Sequence, residues 1–418
     1  MDFIRETLSD QFWFSVLLSL VIFGGIMTAV AYSILLERKI SAWMQDRYGP
    51  NRVGPLGLLQ PLADGAKLLL KEDIIPRHVD RSLFILAPFL MFVVAMIGFA
   101  IIPWGGTFRW WWMAEDAEPM VCQVASIDIG LLYILAVGSL GVYGVVLGGW
   151  SSNNKFSFFG GMRAAAQMLS YEVPMALVIL VGILTTRSLR LEEMVTAQLG
   201  DTGGPMASLF GVGGSAWTLL YQPLAAVILF ITALAEANRA PFDLAECEQE
   251  LIGGFHTEYS GMKWALFFLG EYAHMITSSA LMIAIFFGGY LVPGWTWLNT
   301  SDSALAMFAR MSVFGVKIAL FIGAYMAIRW TLPRFRFDQL MRLAWKSLVP
   351  IGMALVLLQV WILYKDWPQW ISLLGNVVIL LVAALAGATM QRPITGRQAS
   401  LSRRSSKPLE GEAVRPRA

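Results

Sequence analysis

Apolar positions in this chain come in long unbroken blocks, not in the period-two alternation of strands. Blocks close to the ~20 residues that a helix needs to cross a bilayer lie at 12–36, 82–102, 127–148, 164–186, 219–236, 264–289, 306–328, 347–363 and 371–390. Lipid offers no partner for backbone N–H and C=O groups, so blocks of this length predict helices. The expected fold is all-α: a polytopic transmembrane bundle of about nine spans over residues 1–390. The first block is longer than the apolar region of a signal peptide. Asp2, Glu6 and Asp10 precede it where a basic cluster would stand, so it reads as a retained anchor.

Lys and Arg orient the bundle. Connections 37–81, 149–163, 237–263 and 329–346 and the tail 391–418 hold 24 of them; the opposite side holds five, Arg5, Arg109, Arg187, Arg190 and Lys365. The positive-inside rule puts the N-terminus outside and the C-terminus in the cytoplasm, in keeping with an odd number of spans. Trp104, Trp110, Trp111 and Trp112 suit an aromatic belt at the outer interface. The tail 391–418, rich in Arg, Ser and Pro, is expected to be disordered and to meet anionic lipid or a partner.

Composition narrows the chemistry. Hydrophobic residues make up 57% and charged residues 14% of the 418, far from the balance of a soluble domain. A net charge of +2, with no basic stripe interleaved with aromatics outside the tail, argues against nucleic acid as a partner. Cys122 and Cys247 stand far apart, and of His78, His256 and His274 only His274 falls in an expected span. No metal site, iron–sulfur cluster or bis-histidine haem is expected in this chain.

The first cytoplasmic connection is too structured in its chemistry for a linker. Gly49, Pro50, Gly54, Pro55 and Gly57 punctuate turns that hold Asn51 and Arg52 on a constrained backbone. Leu58, Leu59, Leu62, Ala63, Ala66, Leu69 and Leu70 then recur at helical spacing, with Gln60, Asp64, Lys67 and Lys71 in one polar stripe. This predicts an amphipathic interfacial helix whose stripe is solvated, faces a partner, or lines the mouth of a cavity.

The run Tyr48-Gly-Pro-Asn-Arg-Val-Gly-Pro55, followed by Gln60-Pro-Leu-Ala-Asp64 and Lys67, resembles the signature loop of one family, the H-type membrane subunits of the proton-pumping NADH:quinone oxidoreductase, respiratory complex I. A second run, Glu236-Ala-Asn-Arg239-Ala-Pro-Phe-Asp243-Leu-Ala-Glu246-Cys-Glu248-Gln-Glu250-Leu, resembles the other signature of that family, with Glu258-Tyr259 after it. The resemblance covers about the first eight spans; the ninth span and the tail exceed the usual core.

Acids are the candidate chemistry. From Arg239 to Lys263 the net charge is −3, odd for a cytoplasmic connection. Solvated loop acids are the bland explanation. The resemblance implies instead that Glu246, Glu248 and Glu250 line a funnel running from a quinone cavity into the membrane. Glu236 closes the fifth block, and an i, i+3 ion pair with Arg239 is expected if the helix continues past it. Glu172 and Glu271 lie within spans, where an ionised acid costs at least ~2.5–3.5 kcal/mol, so a cation, protonation or a wet cavity must compensate. Each can equally be a buried pair that fixes helix packing. Asp128 stands at the outer end of the third block as a further candidate, and Arg310 and Lys317 are expected as cationic counterparts. His274, three residues after Glu271, reads as a packing histidine or a proton carrier.

The resemblance implies a membrane protein, in a bacterial inner membrane, that walls the quinone-access tunnel of complex I and starts the acidic pathway coupling quinone reduction to proton translocation. Quinone is the substrate. NADH, FMN and the iron–sulfur clusters belong to partner subunits, among them the peripheral ones with the terminal cluster and headgroup site, beside small membrane subunits. Expected tunnel and docking residues are Arg38, Gln45, Arg47, Asn51, Arg52, Gln60, Asp64 and Lys67; expected charge-transmitting residues are Glu172, Glu236, Asp243, Glu246, Glu248, Glu250 and Glu271. Two other classes fit parts of the pattern. A membrane subunit of the hydrogenase type shares the acids but not the complete first-loop signature. A secondary transporter would show inverted repeats, which are not evident here.

Overall fold

A computed structural model describes residues 10–111, 119–199, 217–244 and 252–390. Ten helices make the frame: α1 (Asp10–Met44), α2 (Gln60–Leu70), α3 (Arg81–Ile97), α4 (Gly130–Ser151), α5 (Lys155–Thr186), α6 (Pro223–Glu236), α7 (Gly261–Phe286), α8 (Ala304–Thr331), α9 (Phe337–Tyr364) and α10 (Ile371–Met390). Seven are long and apolar enough to cross a bilayer, while α6 and α10 are shorter apolar helices at the fifth and ninth expected blocks. The all-α polytopic bundle stands. Strand structure among the described residues is one short antiparallel pair, Thr107–Phe108 with Met120–Val121, in the connection after α3.

Helix α7 is the axis of the bundle: 78% of its most apolar window is buried, and α1, α3, α6 and α8 all pack on it. A helix buried all round has no solvated face for its polar side chains, so each polar residue on it must find a partner inside the protein. That helix carries Glu271, Tyr272, His274, Thr277, Ser278 and Ser279. Around it α3 packs on α4, α4 on α5, and α5 on α6 and α9. Small residues permit the closest approaches: a Cβ on Gly144 would come 3.0 Å from Met91 Cβ.

Helix α1 has 35 residues, about 52 Å at 1.5 Å per residue, and so outreaches the ~30 Å hydrocarbon core. Its far end carries Glu37 and Arg38 beyond the sequence block that predicts the span. Helix α6 is the opposite case. Its 14 residues span only about 21 Å, because the expected block 219–236 opens with a 3₁₀ turn and turns α-helical only at Pro223, the first helical position. Residues 343–348 of α9 wind as a π-helix just before Pro350.

The aromatic cluster after α3 differs in part from the expected belt. Trp104 stacks on Phe99 and meets Phe314 edge-on, and Trp110 packs against Phe14 and Phe108, so both close the end of the bundle that holds the start of α1. Trp111 alone is strongly exposed, and Trp112 and the tail 391–418 lie outside the described residues.

Candidate functional site

Two adjoining features gather most of the described candidate residues. The first is a cleft of about 310 Å³ between α1, α2 and α7. Its walls are largely apolar, with Ile34, Leu68 and Phe268 among them, and its polar end holds Arg38, Gln60 and Asp64. Arg38 Nη1 donates to Asp64 Oδ2 at 2.6 Å, and Gln60 Nε2 donates to Asp64 Oδ1 at 3.0 Å. The first turn of the polar stripe on α2 therefore lines a cavity mouth, while Lys67 on the same helix is exposed. Asn51 and Arg52 are exposed in the turns before α2, and Arg47 Nε donates to Gln45 Oε1 at 2.7 Å just beyond α1. These four do not line the cleft.

The second feature is a set of buried acids running inward beside α7. Glu37, only 8% exposed, is the hub. Arg239 Nη1 approaches its two carboxylate oxygens at 3.2 and 3.3 Å, and Arg329 and the Tyr272 hydroxyl also donate to it. The Arg239 guanidinium lies 4.1 Å from the Tyr272 ring centroid, a cation–π contact. Burial works against the Arg239 charge, but Tyr272, Glu37 and Glu271 together hold its pKa above the ordinary value. The expected Glu236–Arg239 pair is thus corrected. Helix α6 ends at Glu236 and the chain turns through Asn238 at φ 48°, which points Arg239 to α1 instead.

Glu236 meets α7. Its Oε1 lies 3.2 Å from His274 Nε2, and both line a chamber of about 50 Å³ with Gly138, Thr277 and Ser278. Buried Gln167 holds the end of α6 by donating to Ala235 O at 2.8 Å and Asn238 Oδ1 at 3.2 Å. Glu172, five residues after Gln167 on α5, feels the charge of Glu236, and Glu271 acts on Arg239. The acids therefore fall into two sets, Glu37 and Glu271 around Arg239 and Glu236 with Glu172, joined in sequence by the turn from Glu236 to Arg239. Asp243 pairs with Arg334 at 3.2 Å. Glu246, Glu248 and Glu250 lie outside the described residues.

Three other expectations are corrected. Asp128 pairs with exposed Arg190 and does not join the buried acids. Arg310 donates to backbone carbonyls, Leu298 O at 2.7 Å and Thr107 O at 3.0 Å among them, and to no carboxylate among the described residues. Lys317 Nζ donates to Phe287 O, Gly289 O and Leu291 O at 2.7–2.8 Å. These carbonyls follow the C-terminus of α7, where unpaired acceptors and the negative end of the helix dipole attract a cation.

Glu37, Arg329, Tyr272 and Gln167 are site residues that the sequence did not single out. Glu37 carried one usable signal, an acid at the end of a span among basic neighbours. Arg329 and Tyr272 carried none, since their role depends on which helices meet.

A model of the NADH dehydrogenase family matches residues 17–360. The chain belongs to that family. Its relatives include an NADH-quinone oxidoreductase H subunit of Cytophaga hutchinsonii, 46% identical over 77% of this chain and 88% of that protein. The H subunit of Leptospira biflexa is 44% identical over 81% and 91%, and one from Geobacter metallireducens 42% identical over 82% and 94%. Helix α10 lies beyond the stretch that the family model matches. The expected place among the H-type subunits, membrane components of an oxidoreductase complex, is borne out.

Proposed function

We propose that this chain walls the quinone-access tunnel of a bacterial NADH:quinone oxidoreductase in the inner membrane and carries the first stretch of the pathway coupling quinone reduction to proton translocation. The observation that carries this reading is the adjacency of the cleft and the buried acids on α1. Arg38 borders the cleft, and Glu37 beside it in sequence holds Arg239, three residues after Glu236. An apolar slot with a polar end suits a molecule with an isoprenoid tail and a polar headgroup. Peripheral partner subunits supply the terminal iron–sulfur cluster and the headgroup site, and NADH and FMN bind elsewhere on partners. Asn51, Arg52, Gln45, Arg47 and Lys67 face outward, where they serve docking.

Charge transmission would pass from the acids around Arg239 to the Glu236–Glu172 set across the turn after α6. A protonation change among Asp243, Glu246, Glu248 and Glu250, driven by quinone chemistry, alters the field at Glu37 and Arg239 and then at Glu271, Glu236 and Glu172. Interacting buried acids titrate as a set, so a proton taken at one end changes proton affinity at the other.

Glu236→Gln tests the reading, because it keeps size and hydrogen bonding but cannot change charge. The complex is expected to assemble with quinone-linked turnover at least about tenfold lower, the low end of what proton-transfer groups contribute. Normal turnover and normal pumping in reconstituted vesicles overturn it.

A further inference from the structure

We infer that His274 is a proton-relay residue that works with Glu236 through the water of the chamber beside α7. The inference rests on the reading of Glu236 as part of the charge pathway and adds to it the group that loads and unloads that carboxyl.

The chamber is built for water. Its volume of about 50 Å³ exceeds the ~10–15 Å³ that holds one molecule, and four polar side chains share its wall, Glu236, His274, Thr277 and Ser278. The two hydroxyls spend their protons on the backbone: Thr277 Oγ1 donates to Ala273 O at 3.0 Å and Ser278 Oγ to Met275 O at 3.1 Å. Their oxygen lone pairs stay free to accept from water. Elsewhere the wall is apolar or glycine, as at Met91, Val94 and Gly138, so water entering the chamber converges on the Glu236–His274 end.

His274 meets the geometric requirement for proton transfer to Glu236. Its Nε2 stands 3.2 Å from Oε1, at the outer limit of direct contact, without the alignment of a settled hydrogen bond. A histidine kept only for packing has its ring nitrogens committed to fixed partners. Here Nε2 faces a carboxylate while the side chain lines the chamber, and its 22% accessibility stands out in the stretch 270–286, where every other residue is buried.

Every element packed around the pair contributes a known set of charges. Glu236 comes from α6 and Glu172 from α5. Glu271 and Tyr272 share α7 with His274. Tyr325 on α8 stands near Ser278 and Ser279 and feels Glu236. The chamber walls from α3 and α4 carry no titratable group, and Arg239 is held by Glu37. His274 is therefore the one nitrogen base among the described residues lining the chamber.

The step balances without an outside reactant. A proton moves from Nε2 of the imidazolium to Oε1, turning imidazolium and carboxylate into neutral imidazole and carboxylic acid with total charge unchanged. A hydronium arriving through the chamber gives its proton to the imidazole and leaves as water. Histidine suits this task because its unperturbed proton affinity lies near neutral pH.

The test uses the intact complex in native membranes, with His274→Gln and His274→Leu beside Glu236→Gln, and intact complex quantified on native gels. His274→Gln retains a polar nitrogen near Nε2 but cannot carry a proton, and it decides the matter if His274→Leu does not assemble. Both variants are expected to lower NADH:quinone turnover at least about tenfold and to remove the limb of the pH–rate profile between roughly pH 5 and 8. Wild-type rate and profile in both variants overturn the inference. A lower rate with an unchanged pH profile overturns it as well, since that marks a side chain needed only for packing. If Glu236→Gln halts pumping while the His274 variants behave as wild type, only the relay falls; if Glu236→Gln pumps normally, the pathway falls and the relay with it.

Discussion

At Glu37 one carboxylate accepts from three side chains brought by three other segments: Arg239 from the turn after α6, Tyr272 from α7 and Arg329 from α8. Its side chain is 11% and that of Arg239 13% exposed, so neither charge can fall back on water if the partner is lost. Removing one member of such a pair leaves an uncompensated buried charge at about 3–5 kcal/mol. Glu37→Leu is expected to destabilise the protein by about that amount, read as a lower midpoint of thermal unfolding for the detergent-solubilised complex. Glu37→Gln keeps one acceptor oxygen, with two lone pairs for the three donors, and is expected to cost less than Glu37→Leu. Equal midpoints for wild type and Glu37→Leu would show that the cluster does not hold these helices together.

Elements differ in how they serve the cleft and the chamber. Helix α2 has no buried residue, and Leu62 and Leu70 on it are 69% and 87% exposed, so it lies as a loosely held flap over the cleft, clasped by the Arg38–Asp64 pair. Gly65 sits on its cleft side, and a Cβ there meets nothing within 4 Å. Filling that space with Gly65→Phe is expected to narrow the slot without unfolding it. Turnover with a long-tailed quinone should fall severalfold while a short-tailed analogue is affected less; equal loss with both would mean that α2 does not border the path of the tail. Short α6 acts differently: it is long enough to bring Glu236 to the chamber but stops before Arg239, and Gln167 from α5 satisfies the carbonyl exposed at that stop.

Across the whole molecule, helix α10 is fastened to the bundle and is no loose appendage. Ser372 Oγ donates to Tyr221 O at 2.9 Å, Asn376 Nδ2 to Gln222 Oε1 at 2.9 Å, and Gln222 Nε2 to Gln359 Oε1 at 2.8 Å. These groups are nearly inaccessible and meet at the start of α6, so α10 holds the end of α6 opposite Glu236. Asn376→Leu leaves Gln222 Oε1 without its donor, a loss of about 1–3 kcal/mol. The expected outcome is a lower thermal midpoint together with early proteolytic release of the C-terminal helix. An unchanged midpoint would mean that lipid, and not this amide chain, retains α10.

Sequence alone determined the all-α class and the course of the apolar helices, because helix formation in lipid is set by local length and hydropathy, and it located Glu172, Glu236 and Glu271 as acids in apolar surroundings. The turn-rich first connection and the two motif runs identified the family through residues adjacent in the chain. Only the tertiary structure decided the partners. Arg239 lies 202 residues from Glu37 and Arg329 292 residues from it, and no local pattern encodes which helix ends will meet. The same limit explains why Arg310 and Lys317 looked like counterions for buried acids and proved to bind carbonyls. A charge in an apolar block announces that compensation is needed, but the compensating group is chosen by the packing of distant helices.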